Sequence, residues 1–279
     1  MSSSDQQTTD RMRAALAHAA ALLTVTPTGP PVWGWRGRTI GSAALDAYEY
    51  RVWLRVLSAA SDTAGDRIWT GTAAAAAHIP TEVSRPYLVE VREWTGGGAA
   101  YRAELTSYVS SPACSVDSIL REDLDLPASW WSSLRASLAT IAAVPTSRQA
   151  LSAEYLARAL PQYLSAPDIA TTPPRWSTAH GDMHWANITA VGPVLLDWEG
   201  WGLAPAGYDA ALLAVHSMLV PAMEARVRCE LAEILDTPEG RFAELAVLAE
   251  LLQTTTRGDN LDLAPAMTRR AAQLVAGGR

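Results

Sequence analysis

HGDMHWAN at residues 180–187 and LLDWEG at residues 195–200 decide how this chain is read. Eight residues carry two histidines, an aspartate and an asparagine inside a sequence that is 49% hydrophobic. Three chemistries fit such a stretch: a metal-ligand cluster, the catalytic loop of a phosphoryl-transfer enzyme, or a polar loop with a purely structural role. His180, Asp182 and His184 alternate, and on a strand they would face one way, as zinc ligands must. The Pro173–Pro174 break upstream and the Trp185, Ala186, Asn187 run downstream favour a loop instead, and no third histidine or cysteine stands nearby.

The continuation adds a partner. Asp197 ends the apolar run Val194–Leu196, and the hairpin-like segment ITAVGPVLLDW (188–198) would return the chain and bring it beside Asn187. Two oxygen ligands, from Asn187 and Asp197, suit a hard cation such as Mg²⁺, which takes one or two protein ligands plus phosphates and water. Asp182, presented on a loop after a helix, would orient an attacking hydroxyl and accept its proton. That is the division of labour in kinase-type phosphoryl transfer.

HGDMHWAN followed by LLDWEGWGLAPAGYDAALL (195–213) resembles the aminoglycoside phosphotransferase and choline-kinase-like family. Its members carry HGDxxxxN, an apolar strand ending in Asp, an acidic or glycine-rich turn and a GYDxA-like segment. The resemblance implies a two-lobed protein-kinase-like fold and binding of ATP (or GTP) with Mg²⁺. It also implies phosphorylation of a small-molecule hydroxyl. It makes Asp182 the catalytic base, Asn187 and Asp197 the metal ligands and His180 a brace for the loop. Asp209 would be structural, tethering its helix to the catalytic loop. Glu199, His184 and Trp185 are candidates for the acceptor site.

The nucleotide side departs from that pattern. Such kinases use a strand lysine to hold the α- and β-phosphates, paired with a helix glutamate. All 22 basic residues here are arginine. In the strand YRVWLRVL (50–57), Arg51, Trp53 and Arg55 alternate onto one face, and Arg55 stands where the lysine is expected. Its planar fork holds phosphates differently from a compact ammonium. Between Arg55 and Pro86 the only glutamate is Glu82, so the helix there is expected to be short or differently built. GWRGRTIG (34–41) reads as a phosphate-covering hairpin, with Gly37 and Gly41 admitting close backbone approach. By position, Ser107 to Val109, after the strand YRAELTSYV, would meet the adenine.

The rest of the sequence organises around these pieces. Helix is expected from Asp10, as N-cap, to about Leu23, after a frayed polar start. Strand-like segments rich in Val, Trp and Tyr follow (31–41, 48–57, 85–94 and 101–109), separated by glycine clusters and alanine-rich connections. Helices are expected at 128–143, 149–163, 206–219, 221–235, 239–254 and 262–276. Strands first and helices after give an α+β chain: residues 1–110 form an N-terminal helix and a nucleotide-side antiparallel β-lobe. Residues 111–279 form a helical C-lobe with the catalytic loop and the acceptor site.

Composition narrows the function further. A formal charge of −7 argues against a nucleic-acid partner and is compatible with a cationic acceptor. No signal segment or apolar run of about 18 residues is present, so no membrane partner is expected and the location is taken as cytoplasmic. Cys114 and Cys229 read as buried free thiols. Arginine without lysine, with abundant alanine, reflects GC-rich codon usage of an actinobacterial type. The expected activity is transfer of a γ-phosphoryl group to a hydroxyl of an antibiotic, amino sugar or related metabolite. Carboxylates of the C-terminal part (Glu199, Glu224, Asp259 and Asp262) are available for its ammonium groups. A non-catalytic kinase-like ligand-binding protein and a metal-dependent hydrolase are the alternatives.

Overall fold

The computed structural model describes residues 3–60 and 66–277. They form two compact units: one runs to Ala77 and includes Arg85–Ser110, and the other comprises His78–Ser84 and the chain from Ser111 onward.

The first unit is an antiparallel sheet with one helix on each face. Helix α1 (Ser3–Leu22) precedes β1 (Thr26–Pro27), β2 (Val32–Trp33), β3 (Thr39–Leu45) and β4 (Arg51–Ala60). Helix α2 (Arg67–His78) then leads to β5 (Leu88–Gly96) and β6 (Ala99–Ser107). The strand order is β1-β3-β4-β6-β5, with β2 also pairing β3. The two-residue period of β4 decides the faces. Val52, Leu54 and Val56 join Ile40, Ala103 and Leu105 in a core with Met12, Leu16, Ala19 and Leu23 of α1 and the turn after it. Leu57, on the opposite face, packs with Trp69 of α2 and Ala100. The helix expected between Arg55 and Pro86 is α2, which takes up most of the alanine-rich run at 73–80.

The second unit is helical around one short hairpin. Helices α3 (Ala128–Ala142) and α4 (Ala153–Tyr163) precede β7 (Trp176–Ala179), which pairs antiparallel with β8 (Gly202–Pro205). Helices α5 (Tyr208–His216), α6 (Pro221–Glu230), α7 (Ala232–Leu235), α8 (Pro238–Thr255) and α9 (Ala264–Ala276) complete it. Helix α8 is buried along most of its length. Its Glu244, only 2% exposed, is gripped by Arg228 at 2.6 Å and Arg270 at 2.7 Å. The Glu244 carboxylate can be buried there because two partly exposed arginines pair with it and hydrogen-bond it.

Several expected boundaries move. Helix α1 already begins at Ser3, so Asp10 is an interior residue, accepting a hydrogen bond from Gln6 at 3.0 Å. Polar residues prolong a helix whose later turns are anchored by an apolar stripe. The helix expected at 149–163 starts at Ala153, where the Ser152 hydroxyl caps Tyr155 N–H at 3.1 Å. Residues 149–151 instead lie along β8, with Ala150 N–H donating to Leu203 at 2.9 Å. Cys229 is exposed rather than buried, while burial pushes the Cys114 thiol up to about 12; both are free. No helix among the described residues is long and apolar enough to cross a membrane.

Candidate active site

Strand β7 delivers the loop that starts at His180, so a strand, not the expected helix, presents Asp182. The turn is built on Gly181, whose φ of +84° favours glycine. A side chain there would also meet the Gly200 carbonyl, 2.8 Å from the position of its Cβ. From α5, the Asp209 carboxylate accepts His180 N–H at 2.7 Å and Gly181 N–H at 3.0 Å. Asp209 thus ties the start of its helix to the loop. Burial pushes its carboxyl up, against the pull of His180 and these two N–H donors.

His180 is 1% exposed. Its Nε2 lies 2.8 Å from the Leu196 carbonyl, and its Nδ1 accepts a long 3.4 Å bond from Asp182 N–H. The Leu196 carbonyl makes Nε2 a donor. The ring clamps the loop to the residue just before Asp197. Its nitrogens are both engaged, so the alternating His180–Asp182–His184 set does not act as a zinc site. Among the described residues no group of three His, Cys, Asp or Glu side chains is placed to hold a metal ion.

Asp182 and Asn187 meet directly. The Asn187 amide donates to the Asp182 main-chain carbonyl at 2.9 Å and to its carboxylate at 3.1 Å. A single turn of 3₁₀ helix at Trp185–Asn187 brings the amide back over the loop. Beyond it, Ile188 bridges to Leu195 and Leu196 N–H donates to the Asn187 carbonyl at 2.8 Å. This register puts Leu196 opposite Asn187, with Asp197 the next residue along the return of the hairpin. Asp197 is exposed and holds φ +57°, a left-handed conformation that aspartate tolerates better than most residues. An amide oxygen and a carboxylate together suit a hard cation that keeps phosphate and water ligands.

His184 stands on the other side of Asp182, with Nε2 3.6 Å from the carboxylate and 3.3 Å from the Asn187 amide. Burial alone would raise the Asp182 carboxyl. The close approach and charge of His184 outweigh it and hold the carboxyl below its usual value. Half of the Asp182 side chain still faces solvent, which screens these charges. Burial likewise works against a charged His184, and Asp182 overcomes it, raising the imidazole. His216 of α5, which the sequence gave no reason to single out, lies with its ring tilted and its centroid 5.7 Å from that of His184. Burial, then the neighbouring His184, push it down to about 4.

The remaining candidates divide. Trp185 is fully buried; its indole N–H donates to Ser217 at 2.9 Å and its ring stacks on Trp130. It is a peg holding the loop, and its role as an acceptor contact is withdrawn. Trp130 completes the support by donating to the Thr189 carbonyl at 3.0 Å. Nothing in the sequence pairs Trp130 or Ser217 with this loop, because both come from helices distant along the chain. Glu199 lies half-buried in the turn after Asp197. Glu224 and Asp262 are engaged by Arg228 at 3.0 Å and Arg121 at 2.9 Å.

In the first unit, Arg55 lies on β4 opposite Gly41 of β3 and Glu104 of β6. Gly37 ends a 3₁₀ turn between β2 and β3 with φ +70° and open space over its Cα. Gly41 is different: a Cβ there would sit 2.7 Å from the Trp53 ring. Its missing side chain accommodates that indole, and the expected close approach of a phosphate at Gly41 is withdrawn. Ser107 ends β6, and its N–H is spent on the Tyr87 carbonyl at 2.8 Å. Its hydroxyl accepts Tyr87 N–H at 2.9 Å and keeps its own proton to donate, while Val109 lies beyond the strand.

No protein-family model and no curated protein matches the sequence. Solved structures do resemble the fold. A thermostable mutant of aminoglycoside phosphotransferase APH(4)-Ia, in ternary complex with AMP-PNP and hygromycin B, matches with TM-score 0.62 and 15% identity over 95% of this chain and 99% of that one. The amicoumacin kinase hAmiN, with AMP-PNP, Ca²⁺ and Ami, matches with TM-score 0.59 and 11% identity over 95% and 93%. Macrolide 2'-phosphotransferase MphH from Brachybacterium faecium gives 0.55 and 13% over 91% and 96%. The chain has the protein-kinase-like α+β fold of these phosphotransferases, a β-sheet N-terminal unit followed by a helical one.

Proposed function

We propose that the chain is a kinase that transfers the γ-phosphoryl group of a nucleoside triphosphate, ATP in the first instance, to a hydroxyl of an antibiotic, amino sugar or related metabolite. One observation carries most of this reading: the Asn187 amide bonds Asp182 twice, and its main-chain carbonyl accepts from Leu196, the residue next to Asp197. A structural polar loop has no need of that convergence. The solved relatives, crystallised with ATP analogues and with hygromycin B or amicoumacin, support the substrate class.

Asp182 has the position and ionisation of the base. A carboxylate held below its usual value is a weak base, so its main work is to orient the acceptor hydroxyl and to take the proton late. That timing suits a phosphoryl group already largely detached from its leaving group. His180 fixes the loop through the Leu196 carbonyl, and His184 keeps the Asp182 carboxylate charged. Asn187 and Asp197 would hold Mg²⁺, which when bound neutralises the β- and γ-phosphate oxygens. Arg55 serves as the phosphate contact in place of lysine, Gly37 lies in the hairpin over the phosphates, and Val109 meets the base. His184 and Glu199 remain the acceptor-side candidates.

Incubation with MgATP and a panel of hydroxylated antibiotics and amino sugars, read by mass spectrometry, tests the proposal. The expected result is a mass gain of one phosphoryl group on at least one acceptor. A folded protein that binds MgATP and modifies nothing would favour the kinase-like binding protein. Expression in a sensitive host should raise its tolerance of the same compound.

A further inference from the structure

Around Arg55 the first unit buries a charged cluster whose carboxylates the kinase reading has so far left unused. Glu104, in the middle of β6, is 1% exposed. It accepts from Arg102 at 3.0 Å and lies 3.8 Å from Arg55 on the adjacent strand. Arg102 is held in turn by Glu93 of β5 at 2.5 Å, and Glu93 also accepts the indole N–H of Trp69 at 2.8 Å. The two arginines differ. Arg102 is gripped by two carboxylates and has a side chain 7% exposed, whereas the Arg55 side chain is 15% exposed and has Nη1 3.8 Å from Glu104.

We propose that Glu104 is the positioning residue for Arg55, a strand carboxylate doing what a helix glutamate does in other kinases. This rests on the reading of the chain as a nucleotide-binding kinase. The physical argument begins with register: Arg55 and Glu104 are direct cross-strand partners, so their side chains share one face. Helix α2 supplies no substitute, because RIWTGTAAAAAH contains no carboxylate. Glu104 cannot swing away, since Arg102 and Glu93 fix it from the far side. A guanidinium is longer than an ammonium and would wander among rotamers unless its base is anchored. Arg102 therefore fixes Glu104, and Glu104 aims the fork of Arg55 at the phosphates.

One consequence separates this chain from kinases in which a moving helix makes or breaks the lysine–glutamate pair. Two hydrogen-bonded strands do not part during a helix movement, so the Arg55–Glu104 pair is formed at all times. The grip on phosphate is built into the sheet.

The test is a double-mutant cycle read by calorimetric titration of the full chain with MgATP and, separately, with adenosine. Glu104→Gln should weaken MgATP binding about tenfold and leave adenosine binding unchanged. In an Arg55→Met background, Glu104→Gln should have no further effect. An equal loss with and without Arg55, or an equal loss for adenosine, would assign Glu104 a merely structural role and overturn the proposal. Unaltered MgATP affinity in folded Glu104→Gln would do the same. Should that variant fail to fold, Glu104→Asp keeps the charge and shortens its reach, with the same pattern expected at smaller amplitude. Folded wild-type protein that binds adenosine and MgATP equally, or neither, would refute the kinase reading itself.

Discussion

Asn187 donates from one amide group to both the main-chain carbonyl and the carboxylate of Asp182, at 2.9 and 3.1 Å. The proposed metal ligand and the proposed base are therefore held together as one piece. Truncation at Asn187→Ala removes a cation ligand and releases Asp182 together. We expect phosphoryl transfer to fall by about 10²-fold or more and the Mg²⁺ concentration for half-maximal rate to rise. A magnesium titration of the rate checks this; an unchanged half-point would remove Asn187 from the metal site.

Asp182→Ala should reduce transfer by about 10² to 10⁴-fold with MgATP affinity and melting temperature close to wild type. The side chain is half exposed, so its loss leaves little buried group unpaired. Single-turnover rates against nucleotide titrations separate the two effects. Comparable turnover in the variant would move the base elsewhere.

Asp209→Ala strips acceptors from His180 N–H and Gly181 N–H at once. Two donors left without partners cost on the order of 2–4 kcal/mol. Asp209→Asn, which keeps one acceptor oxygen, should lose less. Urea denaturation of the three proteins gives the ranking, and equal midpoints would show that the tether carries no stability.

Gly181→Ala places a methyl against the Gly200 carbonyl in a backbone of positive φ. The strain costs on the order of 1–3 kcal/mol and displaces the neighbouring Asp182. We expect a lower melting temperature with a fall in kcat and little change in nucleotide affinity. A crystal structure with the loop unmoved would contradict the close-approach argument.

His216 gives the protein an acid limit. Its imidazole is pushed down to about 4 by burial and by His184, against about 6.5 when unfolded. Between these values the unfolded chain binds the extra proton, so stability rises with pH from 4 to 6.5 and is lost as pH falls through that window. The amount is about 3 kcal/mol at most. His216→Gln should flatten this part of the stability–pH curve relative to wild type. Parallel curves for the two proteins would show that other groups set the acid limit.

The loop was readable because its chemistry is local. HGDMHWAN and the LLDWEG hairpin lie within twenty-one residues of one another, and the register that puts Leu196, next to Asp197, opposite Asn187 follows from a single turn. Strand alternation likewise placed Arg55 on one face of β4. Trp185 was misassigned because an indole looks the same in sequence whether it meets a ligand or a core; the Trp130 ring and the Ser217 hydroxyl that bury it arrive from other helices. Gly41 was misread for the related reason that glycine records only missing volume. Trp53, two strand positions from Arg55, fills that volume.

By itself the sequence determined the order of sheet and helices, the residues able to do phosphoryl-transfer chemistry and the absence of a lysine to assist them. Periodicity, turn residues and side-chain chemistry are properties of short segments, and they survive without any knowledge of what packs on what. Only the tertiary structure decided how the lysine-free sheet is wired. Glu104 lies forty-nine positions from Arg55 along the chain, and strand pairing alone makes them neighbours. Whether a buried arginine is a liability or a fixed phosphate contact depends on which carboxylate faces it, and that is settled across the sheet rather than along the sequence.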